Sequence, residues 1–262
     1  MAEFDTLRTG TVGARAAQID QGLRAYMNKV YGLMSVAMVI TGAAAWAIAG
    51  LAVTGDAASG VVQIGAGEYL TSFGAALYTS PLKWVVMFLP LVFVFGLSAM
   101  INRLSPAAAQ LAFYAYAVVM GVSLSSIFLV FTGASIATTF LVTAIAFLGL
   151  SLYGYTTKRD LGPIGTFLIM GVIGLLVASL VNMFFNIDGL SSVISFLGVL
   201  IFAGLTAYDT QQIKGQYLAF AHQGDAGGEA WIGRSAVMGA LNLYLDFINM
   251  FMFLLQFLGN RD

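Results

Sequence analysis

Long apolar stretches separated by short polar gaps dominate this sequence. A helix needs roughly 20 apolar residues to cross a bilayer, because each residue rises only about 1.5 Å. None of the stretches alternates between apolar and polar positions as a membrane β-strand does. Seven of them reach or approach the required length: about Val30 to Val53, Leu82 to Ile101, Ser105 to Phe131, Ser135 to Tyr153, Ile164 to Phe184, Ser191 to about Ile213, and Ala236 to Leu258. The pattern predicts an all-α membrane protein built as a seven-transmembrane-helix bundle.

Composition supports this interpretation and excludes several classes of function. Hydrophobic residues make up 60% of the chain and charged residues only 9%, whereas a soluble domain has about 25% charged residues. The net charge of −1 gives no reason to expect a nucleic-acid partner. There is no cysteine, and the single histidine, His222, is predicted to lie in a loop. We therefore expect no enzyme activity, no metal site and no cofactor.

Local signals divide the chain further. Residues 1–28 are polar and are predicted to form a cytoplasmic tail before a transmembrane domain at 29–262. Ser105 followed by Pro106 is a good helix start, and Pro90 predicts a kink in the second span. Residues 54–81 are predicted to be a flexible loop with a short interfacial stretch.

The placement of lysine and arginine predicts the orientation. With the N-terminus in the cytoplasm, only Lys83 and Arg261 lie outside. Nine basic residues then lie inside: Arg8, Arg15, Arg24, Lys29, Arg103, Lys158, Arg159, Lys214 and Arg234. Basic residues concentrate on the cytoplasmic side of membrane proteins. The N-terminus is therefore predicted inside and, with seven spans, the C-terminus outside.

Two aspartates inside the predicted spans are the strongest functional candidates. Asp246 lies ten residues into the seventh span, and Asp209 lies near the cytoplasmic end of the sixth. An intramembrane charge costs roughly 2.5–3.5 kcal/mol on insertion scales and usually has a function. Asn242, Asp246 and Asn249 have the i, i+4, i+7 spacing that places them on one helix face. This polar stripe favours a central position for the seventh helix.

Two carboxyl groups in one apolar site cannot easily both ionise, so the pair is expected to share a proton and titrate as a unit. Arg103, at the cytoplasmic end of the second span, could favour the ionised form of Asp209. Each of these residues also has a purely structural alternative. Asp209 could pair with Lys214, Asp246 could serve a purely structural hydrogen bond, and Arg103 could be an ordinary positive-inside anchor.

Two C-terminal segments have a distinctive sequence: AYDTQQIK, from Ala207 to Lys214, and ALNLYLDFINMFMFLLQFLG, from Ala240 to Gly259. They resemble the signature of the Bax inhibitor family, the transmembrane Bax inhibitor motif proteins. YMNKVYGLMSVAMVITG in the first span and INR at the end of the second also resemble bacterial members. The resemblance extends from about Ala25 to Gly259.

The resemblance implies a central seventh helix wrapped by the other six and a pH-sensitive calcium leak. The family's sensing aspartates match Asp209 and Asp246, and its latching arginine matches Arg103. Some members have a glutamate about eleven residues before that arginine, where this chain has Val92. This departure argues against a third acidic contributor.

Two functions of different classes follow as expectations. The first is a pH-sensitive calcium leak channel in the inner membrane, gated by the aspartate pair, with calcium as the permeant ion. The second is a non-transporting regulator that binds a membrane-bound ATP-dependent protease, as bacterial relatives suggest. Its sequence feature is the long polar tail at 1–28. Membrane lipid is a partner in both. A proton-coupled transporter ranks last, because no internal repeat is visible.

Overall fold

Helices account for most of the chain. The computed structural model describes residues 2–65, 67–223 and 228–260, with backbone alone at 2–16 and 223, so Arg261 falls outside the described residues. The helices are α1 (Ala2–Ala52), α2 (Ser72–Tyr78), α3 (Leu82–Met100), α4 (Pro106–Leu124), α5 (Gly133–Thr156), α6 (Gly162–Phe185), α7 (Leu190–Gln223) and α8 (Gly228–Leu258). Short 3₁₀ turns follow α3 at Ile101–Arg103 and α4 at Ser125–Leu129.

The seven-span prediction is confirmed. Within the described residues, every helix except the short α2 is long and apolar enough to cross a membrane. The predicted cap of the third span is also present, since the Ser105 hydroxyl accepts a hydrogen bond from the Ala108 amide at 3.2 Å and Pro106 opens α4. A proline at this position loses no helical hydrogen bond, because the first turn has no partner for its N–H groups.

Two helices extend well beyond the predicted spans. Helix α7 continues to Gln223 and α8 begins at Gly228, whereas hydropathy had ended the sixth span near Ile213 and begun the seventh at Ala236. Hydropathy detects only the apolar part of a helix. The helical backbone hydrogen bonds can continue past that part into a segment that is exposed to water. His222 consequently lies exposed in the last turn of α7, and its prediction as a loop residue was wrong.

Helix α1 packs into the bundle earlier than residue 29. Leu23, Tyr26, Met27 and Val30 are all buried and have the i, i+3, i+4, i+7 spacing of one helix face. The predicted tail at 1–28 is helical from Ala2 onward, and its last turns belong to the packed core.

The segment between the first two spans contains strands and a short helix, so it is not the irregular loop that the sequence predicted. It contains an antiparallel sheet of β1 (Val53–Thr54), β2 (Val62–Gly65) and β3 (Glu68–Leu70), with β3 in the centre. Thr71 then joins the sheet to α2. Its hydroxyl donates to the Leu51 carbonyl at 2.9 Å and accepts from the Gly74 amide at 3.1 Å.

Helix α8 lies at the centre of the bundle, as its polar stripe had predicted. In its most apolar stretch 61% of the residues are buried, against 17% in α3 and 11% in α6. It packs against α1, α4, α5 and α7. Helices α3 and α6 pack mainly on α4 and α7, so the expectation that all six other spans wrap the seventh holds for four of them.

Candidate functional site

Asp246 is buried in the middle of α8. Its side chain is 4% exposed, and the neighbouring Leu243, Tyr244 and Phe247 are 2% exposed or less. Asp246 is also the one acidic residue among the buried side chains of the described chain. The carboxyl group therefore lies in an environment with very little water.

Asp209 reaches Asp246 from the neighbouring helix. The ring of Phe253 lies against Gly198, and Ile213 lies against Gly239, which sets the register of the antiparallel helices α7 and α8. In this register Asp209 lies level with Asn242, about 6 Å along the axis from Asp246. Each helical side chain tilts toward its own N-terminus. The two carboxyl groups therefore tilt toward each other, which brings them within hydrogen-bonding reach.

This contact determines the chemistry of the pair. A hydrogen bond between two carboxyl groups requires a proton on one of them, since an ionised carboxylate only accepts. The buried Oδ2 of Asp246 has no hydrogen-bond partner in the described part of the chain. The geometry can hold one proton between two oxygens, with little other compensation for a second negative charge.

The nearby lysine does not neutralise the pair. Lys214 Nζ donates to the Tyr155 carbonyl at 2.7 Å and lies 5.0 Å from the centre of the Tyr155 ring. Between described residues there is no ion pair from Lys214 to Asp209. The alternative in which Asp209 is a boundary carboxylate bound to Lys214 is therefore not the arrangement found.

The asparagines of the polar stripe have different surroundings. Asn249 is half-buried, and its Nδ2 donates to the Leu245 carbonyl of the same helix at 2.8 Å. Asn242 is also half-buried and lies level with Asp209. Asn242 is thus the stripe residue placed beside the carboxyl pair.

A chain of three hydroxyl groups next to the pair was missed by the sequence analysis. Tyr31 on α1 lies 2.5 Å from Ser151 on α5, oxygen to oxygen, and Ser151 lies 3.0 Å from Thr210 on α7. Thr210 immediately follows Asp209, and it is fully buried, as Ser151 nearly is. The sequence did not indicate this contact, because the three hydroxyl residues lie in different spans and are far apart along the chain.

A cluster of phenylalanines from α5 and α8 lies beside Asp246, toward the C-terminal end of α8. Phe247 lies 5.4 Å from Phe140 and 5.6 Å from Phe147 between ring centres, and Phe140 lies 6.1 Å from Phe251. Beyond these rings is a polar cavity of about 240 Å³. Its polar lining residues are Thr132, Ser135, Thr138, Thr139 and Asn260. Three of these rings, Phe147, Phe247 and Phe251, are buried, and Phe140 is 45% exposed.

Comparison with known proteins identifies the family. The family model described as Inhibitor of apoptosis-promoting Bax1 (Bax1-I) matches residues 23–262. The chain belongs to the Bax inhibitor family. It is 41% identical over 241 residues to inner membrane protein YbhL of Escherichia coli K12, covering 92% of this chain and 93% of YbhL. It is 39% identical over 258 residues to protein RP147 of Rickettsia prowazekii, covering 98% and 99%.

Arg103, which matches the latching arginine of the Bax inhibitor family, is not in contact with Asp209 in this structure. It ends the 3₁₀ turn after α3 and is exposed. No ion pair between it and Asp209 occurs among the residues described. The adjacent Leu104 carbonyl instead accepts a long hydrogen bond of 3.5 Å from Arg234 on α8.

Val92 occupies the position where some members of the Bax inhibitor family have a glutamate. It is 66% exposed on the outer surface of α3, which lies in the less buried part of the bundle. The described residues contain no group of three or more acidic, histidine or cysteine side chains that could hold a metal ion. The acidic site of this member therefore consists of the Asp209–Asp246 pair.

Gln211 of the AYDTQQIK segment fixes the loop between α5 and α6. The Gln211 side chain accepts from the Leu161 amide at 2.9 Å and donates to the Arg159 carbonyl at 2.8 Å. With Lys214 bound to the end of α5, this segment connects the acidic pair to the neighbouring helices. Its polar residues thus have structural contacts as well as a candidate functional one.

Proposed function

We propose that this protein is a pH-sensitive cation leak channel, with calcium as the permeant ion and the Asp209–Asp246 pair as its pH-sensing element. The observation that carries the proposal is the close approach of two carboxyl groups, the buried Asp246 and the half-buried Asp209, at the centre of a membrane bundle. When both are ionised, the pair offers two negative charges and four oxygens, the ligand type that calcium prefers. When they share a proton, that attraction is weaker.

In the proposed mechanism, protonation controls the cytoplasmic mouth. An ionised Asp209 attracts Arg103, and the resulting ion pair holds the end of α3 against α7. A proton shared with Asp246 removes much of this attraction and leaves Arg103 free at the surface, which is its position in the structure. Flux is expected to rise as the pH falls, because protonation weakens the latch.

The phenylalanine cluster gives this pathway a second barrier. Apolar constrictions block ions by excluding water, and in this proposal the buried rings of Phe147, Phe247 and Phe251 form the constriction between Asp246 and the polar cavity. Opening therefore requires a movement of α5 relative to α8 in addition to release of Arg103.

The proposed location is the inner membrane, the location in the name of the relative YbhL. The proposed orientation places the N-terminus in the cytoplasm and the C-terminus outside. It rests on the basic residues, which lie mainly at one end of the bundle. In this orientation Asp209 is the member of the pair that lies nearer to the cytoplasmic mouth.

Calcium flux into liposomes that contain the purified protein tests the proposal, measured between pH 5 and pH 8. Wild-type flux should increase toward low pH. Asp209→Asn cannot ionise and cannot attract Arg103, so its flux should stay high at every pH. Asp246→Asn should also abolish the pH dependence, because the proton can no longer be shared between two carboxyl groups.

Asp188→Asn is the matched control, because Asp188 is exposed between α6 and α7 and lies outside the pair. This variant should retain the wild-type pH profile. Wild-type profiles in both Asp209→Asn and Asp246→Asn would contradict the proposal. Absence of flux from the folded wild-type protein at every pH would favour the second function, the regulator that binds a membrane-bound protease.

A further inference from the structure

A cavity of about 500 Å³ lies between α1 and α5 on the side predicted to face the cytoplasm. Its volume is within the range of small-molecule sites. It is lined by Arg24, Met27, Asn28 and Tyr31 from α1 and by Leu148, Ser151, Leu152 and Tyr155 from α5. The acidic pair lies on α7 and α8, so the cavity is a separate site.

The cavity is polar at one end and apolar at the other. Arg24 and Asn28 are exposed residues one helical turn apart, and Arg24 has no hydrogen bond or ion pair among the described residues. Leu148 and Leu152, also one turn apart, are 67% and 64% exposed on the outer surface of α5. In a membrane these two leucines face lipid chains, while Arg24 can extend to the headgroup region.

The hydroxyl chain determines what the wall of the cavity can bind. Thr210 donates its only hydroxyl proton to the Thr206 carbonyl at 2.8 Å, so Ser151 must donate to Thr210, and Tyr31 must donate to Ser151. All three donors are used inside the protein. The donors left for a ligand are therefore the guanidinium of Arg24, the amide of Asn28 and the hydroxyl of Tyr155.

The charges around the cavity favour an anion. Lys214 lies behind Tyr155, with its ammonium group 5.0 Å from the centre of that ring. Asp20 lies one turn before Arg24, but it forms no ion pair with it within the described chain and is exposed to solvent. Arg24 thus lines the cavity and has no ion-pair partner among the described residues.

We propose that this cavity binds one anionic glycerophospholipid. The phosphate accepts hydrogen bonds from Arg24 and Asn28, and an acyl chain runs along Leu148 and Leu152. Basic pockets between helices on the cytoplasmic side of a membrane are suited to anionic headgroups. The bound lipid also bridges α1 and α5 beside the Tyr31–Ser151–Thr210 chain. Its occupancy therefore holds α1 beside α5, and the site exists whether or not the protein conducts ions.

Native mass spectrometry of the full chain in neutral detergent tests this site, by titration with dioleoylphosphatidylglycerol or dioleoylphosphatidylcholine. Wild type should retain one phosphatidylglycerol with clear preference over phosphatidylcholine. Arg24→Gln should bind phosphatidylglycerol about tenfold more weakly, because a charge-assisted hydrogen bond is lost. Lys158→Gln is the matched control, since Lys158 is an exposed basic residue on the same side and outside the cavity.

A second variant separates a lipid from a free phosphate compound. Leu148→Gln makes the acyl path polar at an exposed position and should weaken phosphatidylglycerol binding while leaving the fold intact, as checked by thermal unfolding without added lipid. Glycerol 3-phosphate, which has no acyl chain, should compete poorly. Equal losses in Arg24→Gln and Lys158→Gln, equal binding of the two lipids, or full competition by glycerol 3-phosphate would each overturn the proposal.

Discussion

At the scale of single residues, the close approach of α5 to α7 depends on a glycine. A β-carbon at Gly154 would meet the backbone carbonyl of Ala207, two residues before Asp209. A carbonyl in the middle of a helix cannot rotate away, so a larger residue must push the helices apart. The position of Asp209 is thus set partly by the absence of a side chain on the neighbouring helix.

Gly154→Ala is therefore expected to destabilise the protein by about 1–3 kcal/mol, the usual cost of overpacking a close contact. Thermal unfolding in detergent should show a lower midpoint temperature for this variant. Gly149→Ala on the same helix is the control, because a β-carbon there has no neighbour within 4 Å. Equal midpoints for the two variants would show that the contact with Ala207 has no energetic importance.

At the scale of elements, α7 connects the site to the rest of the bundle. It packs against α8, α6, α5 and α1, and its polar residues hold the ends of its neighbours. Gln211 alone makes two hydrogen bonds to the loop between α5 and α6. The adjacent Gln212 instead donates to the Tyr208 hydroxyl on the same helix at 2.8 Å.

Gln211→Ala should loosen that loop, because the Leu161 amide and the Arg159 carbonyl lose their partners. Hydrogen–deuterium exchange followed by mass spectrometry should show faster exchange in peptides that cover residues 157–165. Gln212→Ala should leave the exchange of these peptides unchanged, since its hydrogen bond stays within α7. Unchanged exchange in Gln211→Ala would mean that other contacts hold the loop.

The sequence predicted the elements whose signal is local and missed those that depend on distant contacts. Seven apolar stretches and the Ser105 cap were found, because a bilayer requires length and a helix start requires a short polar residue. The outer sheet was missed, since its strands have two to four residues each. Asp209 and Asp246 were singled out by their unusual position in apolar spans. The chain from Tyr31 through Ser151 to Thr210 was not, because each hydroxyl alone is unremarkable there.

At the scale of the whole molecule, the spans form two layers around the acidic pair. Helices α1, α4, α5 and α7 surround α8, and α3 and α6 lie outside them with most of their surface toward lipid. The central helix is the one that carries the most buried carboxyl group. Because α8 is surrounded by protein and not by lipid, Asp246 has Asp209 as a polar neighbour. This neighbour lowers the energetic cost of placing a carboxyl group inside the membrane.

The orientation of this bundle can be tested with introduced cysteines, because the chain has none of its own. Ala58 is exposed in the segment before β2, which is predicted to lie outside, and Asn102 is exposed between α3 and α4, which is predicted to lie inside. A membrane-impermeant maleimide added to intact spheroplasts should label Ala58→Cys. It should label Asn102→Cys only after the membrane is opened by detergent. The reverse pattern would place the mouth near Asp209 outside the cell, where external rather than cytoplasmic pH would set the protonation of the pair.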